Sequence, residues 1–344
     1  MAFPRETEFT DLKTKYGMLY GKISIRAYCM STAVVHLILV VFFSWKSTAS
    51  SAGDEQFKHL VMPVTKNIGA WLNISEAAGF PIPTTRFLKS ECSLLTYHES
   101  RVSDAYIQPL SLSVTTYDTR QAIIIFHVFS FAFQFLNCLS EKNYYEIFQY
   151  GQTHLSHFIE YSFSASLMIT TMSVQLGVLD IYTLLGVFCN GWACMIFGLL
   201  AEVMFENNMK AIEVPIITFR KQVSITKAKI KPHWIAHFAG WITLVFSIVA
   251  VVSNLSTFTT CMDTVRIPSF VYPIVVLEVV FFSAFGVVQI VEFCNKPEFD
   301  PDSNTTRDQK YAKRVIWAFV TEIAYITLSL FAKTSLGIAI YYGG

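Results

Sequence analysis

One charged residue sits deep inside a membrane-length apolar run. The run extends from Val315 to Ile340, and Lys333 lies well within it. An ammonium at that depth costs about 3 kcal/mol or more in hydrocarbon. It must find a carboxylate, reach water or lose its charge, and a buried lysine is also the residue type that forms an imine with an aldehyde. On a helix, Glu322, Ser329 and Lys333 fall on one face, with Tyr325 beside them, because eleven residues make about three turns. That polar seam has to face protein or water.

The rest of the chain is built around such a seam. Of its 344 residues 53% are hydrophobic, and the mean hydropathy is +0.44. These values point to an all-α membrane protein with several spans. The net charge of +1 gives no polyelectrolyte basis for binding nucleic acid. The charged first 26 residues precede an apolar run long enough to span, which does not read as a cleavable leader. The seven cysteines have no zinc spacing, and no metal site is expected. No glycine-rich phosphate loop, metal-ligand spacing or nucleophile constellation stands out, so an enzymatic role is not expected.

Seven apolar segments emerge, at roughly 23–46, 119–139, 152–177, 181–205, 233–257, 268–293 and 314–341. Residues 1–22 form a tail, and 23–344 a single seven-helix domain that includes a long loop at 47–118. If the N-terminus is cytoplasmic, that side holds five Lys and Arg up to Arg26 and Lys142 in the next inner loop. It also holds six between spans four and five and five between spans six and seven, whereas the opposite short loops hold only Arg266. The positive-inside rule then places the N-terminus in the cytoplasm and the C-terminus outside. A multi-pass position in the plasma membrane, in contact with lipid, is expected.

The 47–118 loop is too long for a mere connector and reads as a small extracellular cap. Helical periodicity surrounds Phe57–Leu72, and the stretch from Ser93 to Tyr117 is rich in Thr, Ser, Tyr and Val, which suggests strands or a hairpin. Cys92 in this loop and Cys261 in the outer loop between spans five and six are either a disulfide or two unpaired thiols. Asn73-Ile74-Ser75 is a sequon on the same outer side.

Several spans carry polar side chains. Span one has His36, and span two has His127, Gln134 and Asn137. Each reads either as an interior hydrogen-bonded group or as part of a proton-handling cavity. In span three Glu160 and Ser164 share a face one turn apart, and Glu160 is the natural partner for the Lys333 charge. Span four carries Asn190, Met195 and, near its cytoplasmic end, Glu202. Span five opens with Trp234 and continues to Trp241. In span six Glu278, Phe282, Phe285, Gln289 and Glu292 fall along one stripe. The aromatics are either ordinary packing or walls of a pocket. Glu278 carries more weight, because an unpaired buried carboxyl is costly unless protonated or hydrated.

Two motifs bear a family resemblance. Glu160-Tyr161-Ser162-Phe163-Ser164-Ala165-Ser166-Leu167-Met168-Ile169 closely resembles the third-helix signature of the heliorhodopsins, and Ser329-Leu330-Phe331-Ala332-Lys333 resembles their retinal-attachment motif. Weaker matches are Arg26 with His36, and Asn190 with Met195-Ile196-Phe197-Gly198 and Glu202. The inverted topology, reached above from Lys and Arg counting, is a hallmark of the same family. The resemblance implies all-trans retinal bound covalently to Lys333, with Glu160 as counterion and Ser329 and Ser164 hydrogen-bonding near the linkage. It also implies a homodimer, a slow photocycle and signalling to an unidentified cytoplasmic partner. Family members carry a second cavity histidine in span two; the register here suggests Gln134 at that place, with His127 two turns earlier.

Three functions remain in view. The first is a light sensor. The second is a light-driven proton conductor using Glu278, Glu322 and Glu202 as relay sites. The third is a seven-helix receptor without retinal, against which the reversed topology and the absence of Asp-Arg-Tyr and Asn-Pro-x-x-Tyr signatures argue.

Overall fold

The computed structural model describes residues 25–50, 61–68, 110–139, 156–207, 212–218, 224–261, 271–297 and 307–343. It contains seven long helices: α1 (Ile25–Ser50), α2 (Thr119–Leu139), α3 (Ser156–Gln175), α4 (Ile181–Glu206), α5 (Pro232–Cys261), α6 (Val271–Asn295) and α7 (Arg307–Gly343). They coincide with the seven apolar segments to within a few residues, except that α5 and α7 each extend several residues beyond the hydrophobic stretch. Helices α1 to α5 pack as successive neighbours, α6 packs on α7, and α7 closes on α1.

Six of the seven are long and apolar enough to cross a membrane. The exception, α3, carries His157, Glu160 and many hydroxyls, and fifteen of its twenty residues are buried, with Ile159 and Phe163 facing outward. A helix so polar is tolerated only where its polar side faces the interior of the bundle. The outward faces are correspondingly greasy: Val41, Phe246, Val276 and Phe331 are all about 60% exposed. Polar residues such as Ser130, Glu160, Glu278 and Lys333 turn inward instead. This inversion of the soluble pattern marks an integral, multi-pass membrane protein.

Apolar burial gives little drive between helices in lipid, so close approach matters more. At Gly286 on α6 an added Cβ would fall 2.5 Å from the Trp241 ring of α5. Only hydrogen fits there, which lets the indole come against α6. The α3–α4 connection is equally specific. Gly177 adopts φ 81°, Gly177 N donates to Val174 O at 2.9 Å and Val178 N to Ser173 O at 3.0 Å. This is a left-handed glycine cap that closes the last carbonyls of α3. Asp180 then caps α4 by accepting from Thr183 N at 2.9 Å.

Two small two-stranded antiparallel sheets lie at opposite ends of the bundle. In the first, β1 (Val61–Ile68) pairs with β2 (Leu110–Asp118), with an irregularity between Val64 and Thr65. The strand at β2 lies within the stretch read as strand-forming. The helix expected around Phe57–Leu72 is instead β1 over its described part: Pro63 removes a helix donor, and Val61, Val64, Thr65 and Ile68 favour a pleat. Val64 packs on Val174, Val178 and Leu184, and the Tyr117 hydroxyl lies 2.7 Å from Thr171 Oγ1, which ties the sheet to the α3–α4 turn. The second sheet, β3 (Ile212–Thr218) with β4 (Ser224–Ile230), joins α4 to α5 and has no counterpart in the sequence reading. Cys92, the Cys261 side chain, Asn73 and Arg26's side chain lie outside the described residues.

Replacing Gly177 with alanine places a Cβ at positive φ, and is expected to cost about 1 kcal/mol or more. Thermal unfolding of the purified protein in detergent should show a lower midpoint for Gly177→Ala and a smaller loss for Gly177→Asn.

Candidate functional site

The lysine that opened the sequence reading lies at the centre of the bundle. Helix α7 brings Lys333 against α3 and α2. Lys333 Nζ donates to Glu160 Oε1 at 2.5 Å, to Ser130 Oγ at 2.5 Å and to Ser329 Oγ at 2.8 Å. An ammonium has three hydrogens, and each has an acceptor here. The Ser130 hydroxyl is 2.6 Å from the same carboxylate oxygen and donates to it. Both charged side chains are 2% exposed, so the pair is removed from solvent. The Tyr161 ring stands over the ammonium, its centroid 5.1 Å from Nζ.

A second buried lysine provides a contrast. Lys296, just beyond α6, is 2.8 Å from Glu292 Oε1 and 3.7 Å from Glu202 Oε1, and it also pairs with Glu206, which in turn holds Arg314. Burial disfavours its charge, but Glu292, Glu202 and Glu206 outweigh that and hold its pKa above the ordinary lysine value. Lys296 is a locked cation at the β3–β4 end of the bundle. The three carboxylates could hold a metal ion by spacing, but the ammonium already sits among them.

Lys333, in contrast, borders a cavity. A narrow space is lined by Lys333, Ser329, Ser164, Met168, Glu278 and Phe281 among others. It adjoins a second that reaches His237, Gly240, Trp241 and Gly286 between α4, α5 and α6. Tyr161, Met195, Phe282 and Phe285 border both, so one apolar slot runs from the lysine toward Trp241. Its far end is fixed by an ordered relay. Trp241 Nε1 donates to His237 Nε2 at 2.8 Å, His237 Nδ1 is 2.8 Å from Gln289 Oε1, and Gln289 Nε2 donates to Gly198 O at 2.8 Å. The indole has no acceptor, so it fixes the neutral His237 tautomer that donates from Nδ1.

The remaining sequence-selected residues divide clearly. Met195, Trp241, Phe282, Phe285 and Ser164 line the slot. Ser164 lies there without a hydrogen-bond partner for its hydroxyl among the described residues, and the hydroxyl that reaches Lys333 from outside α7 is Ser130 instead. Trp234 is not a wall: it is one turn or more nearer the start of α5 and packs on Phe293, His233 and Phe238. Asn190 is half-buried on α4 and borders neither cavity. His36 Nδ1 and His127 Nδ1 are 2.9 Å apart, both fully buried. The span-two histidine therefore faces His36, and the register that favoured Gln134 at that place is displaced by about two turns. Gln134 is buried on the same helix face, its amide without a partner among the described residues. Glu202 belongs to the Lys296 cluster. Glu322 pairs with His157, whose Nδ1 is 3.2 Å away.

Two residues that matter in this geometry were not selected from sequence. Ser130 was legible, because His127, Ser130 and Gln134 share one α2 face by spacing. His157 stands three residues before Glu160, on the same face of α3, and carried the same signal.

Seven helices enclosing a central lysine–carboxylate pair beside an apolar slot form a rhodopsin-like bundle. The crystal structure of cyanorhodopsin from the cyanobacterium Tolypothrix superposes with a TM-score of 0.50 at 8% identity, over 94% of this chain and 96% of that one. Thermophilic rhodopsin from Rubrobacter xylanophilus gives a TM-score of 0.35 at 10% identity, over 64% and 84%. No curated protein matches the sequence. A sequence model of the heliorhodopsin family matches residues 89–301, more than half of the chain, and the chain belongs to that family. It is a membrane protein of the retinal photoreceptor type, and the family implies a retinal chromophore. The matched stretch ends before α7, so the role of Lys333 is argued from its geometry.

The pair energetics give a test that needs no chromophore. Removing one partner of a buried ion pair leaves the other charge stranded, at about 3–5 kcal/mol. Lys333→Ala in retinal-free protein should therefore lower the thermal midpoint sharply. Adding Glu160→Gln to it should recover most of the loss, because the orphaned charge is gone. A double variant no more stable than Lys333→Ala would contradict the pairing.

Proposed function

We propose that Lys333 carries all-trans retinal through a protonated imine, that Glu160 is its counterion, and that the protein is a light sensor acting on a partner. The observation that carries this reading is the buried Lys333–Glu160 pair at 2.5 Å opening onto the apolar slot. The lining of the slot suits the group. It is apolar along its length, bordered by Tyr161, Met195, Phe282 and Phe285, and has one amine at its end. Retinal, when bound, supplies visible absorption and a light-driven change of double-bond geometry.

The chain's residues supply the rest. An Nζ that keeps a single hydrogen has Glu160 as its strongest acceptor, because the charge-assisted bond outranks those to Ser130 and Ser329. Glu160 holds the positive charge at Nζ, and Ser130 steadies the carboxylate from α2. Phe282 and Phe285 restrict motion across the slot, while Trp241 and its relay fix the far end. The His36–His127 pair has both Nε2 atoms without a partner among the described residues, so it can accept a proton. A moved proton redistributes charge among α1, α2, α3 and α7, and that difference biases helix positions in the manner of a two-state switch. The output leaves through the β3–β4 side, which the Lys and Arg distribution assigns to the cytoplasm. The protein works as a homodimer in this reading.

A second reading rests on Glu278. It is 1% exposed, borders the slot beside Lys333, and neither oxygen has a hydrogen-bond partner among the described residues. Such a carboxyl suits a proton-conducting path.

Purified protein supplied with all-trans retinal should show a visible band that Lys333→Ala abolishes. Glu160→Gln should move the band to longer wavelength, since a nearby anion favours charge localised at Nζ. A folded wild type without a visible band would overturn the reading. Voltage clamp separates sensor from conductor: the sensor gives no steady photocurrent under any pH gradient. A photocurrent removed by Glu278→Gln, with the visible band kept, would establish conduction instead.

A further inference from the structure

His157 and Glu322 make none of the contacts that hold Lys333, yet they stand immediately beside that centre. His157 Nδ1 lies 3.2 Å from Glu322 Oε2, and the two side chains are 4% and 2% exposed. A lone carboxylate or a lone imidazolium at this depth is expensive, so each is the other's natural partner, and such a pair offers a place for one proton.

Its position gives that proton somewhere to go. Along α3, His157 is one turn from Glu160 toward the β3–β4 end. Along α7, Glu322 is two turns from Ser329 in the same direction. The groups facing the pair are Glu160 and Tyr161 on α3 and Tyr325 on α7, with the His157 ring 5.6 Å from Tyr161 and 5.0 Å from Tyr325. Tyr161's hydroxyl is committed to Tyr325 O at 3.0 Å, whereas the Tyr325 hydroxyl is buried without a partner among the described residues. Tyr325 is also within electrostatic reach of Glu292 on α6 and Glu202 on α4. Those two carboxylates hold Lys296, and Glu206 and Arg314 complete the cluster at the end of the bundle. Proton-bearing side chains thus stand at successive levels of the bundle, from the central pair through His157–Glu322 and Tyr325 to the β3–β4 end. Toward the β1–β2 end lie the buried His36–His127 pair and Glu278, the one carboxyl bordering the slot.

We propose that His157 and Glu322 form a proton-binding dyad that loads from the β3–β4 side and exchanges its proton with the Lys333–Glu160 centre. The bound species is a single proton; it arrives from water at the β3–β4 end and is passed on as Glu160 or Nζ gains or loses one. The proposal deepens the light-sensor reading and rests on it for its trigger, but the dyad itself is a property of the polypeptide.

The test has two arms. The first uses full-length, retinal-free protein in lipid vesicles, with 15N-labelled histidine observed by NMR through a pH titration and the carboxyl bands followed by infrared spectroscopy. Glu322→Gln should shift the His157 titration, and His157→Gln should shift the Glu322 carboxyl band. His157→Arg keeps a cation beside Glu322 and should abolish the histidine titration without unfolding the protein. Independent behaviour of the two groups, or a His157 signal unmoved by Glu322→Gln, would overturn the dyad. The second arm uses the retinal-bound protein and a pH-sensitive dye on the β3–β4 face. After a flash, His157→Gln and His157→Arg should slow proton exchange on that face by on the order of tenfold or more, with the visible band retained. Unchanged exchange would overturn the proposed route. A protein that never forms a visible band would sink the chromophore reading, and the first arm would still decide the dyad.

Discussion

The bundle is arranged around the cost of one ammonium in a membrane. Lys333 is tolerable because α3 delivers Glu160, α2 delivers Ser130 and α7 delivers its own Ser329. Three helices are thereby fixed in register by a single nitrogen. A buried ion pair is weak as a source of stability compared with apolar packing. Its value lies in specification: a slip of α7 by one residue would turn Lys333 toward lipid, at several kcal/mol. The polarity of α3 follows from the same constraint. A helix that must present Glu160 and His157 inward keeps only a narrow apolar strip, Ile159 and Phe163, for its outer side, while the other helices present broad apolar sides outward.

Charge is graded along the interior. At the β3–β4 end Lys296 is clasped by three carboxylates and stays a fixed cation. At the centre Lys333 faces one carboxylate and an apolar slot. The difference in partner number separates a structural lysine from one with room to react, although both are buried on neighbouring helices. Between them lie His157, Glu322 and Tyr325, whose hydrogen bonding is less complete than that around either lysine.

Much of this was legible in the chain itself. Seven spans follow from apolar run length, and the inward seam of Glu322, Tyr325, Ser329 and Lys333 follows from helical spacing. Glu160 follows from the need to neutralise Lys333. What was not legible depends on contacts between helices. Spacing puts Ser130 on one α2 face with His127 and Gln134, but that this face meets Lys333 depends on how α2 rotates against α3, which no single helix reveals. Trp234 and Trp241 have the same composition signal, yet only Trp241 reaches the slot, because Gly286 opens a place for its ring. The pairing of His127 with His36 depends on the relative height of α1 and α2, which sequence register misjudged by two turns. β1 was read as helix because an apolar period near 3.6 and a short strand overlap over eight residues, and Pro63 decides between them.

The most direct measurement is peptide mapping after the retinal-bound protein is treated with borohydride, which makes an imine linkage permanent. The account predicts a retinyl mass increment on the peptide that contains Lys333 and on no other lysine peptide. An increment on the peptide containing Lys296, or none in protein that shows a visible band, would contradict the assignment of Lys333 as the attachment site.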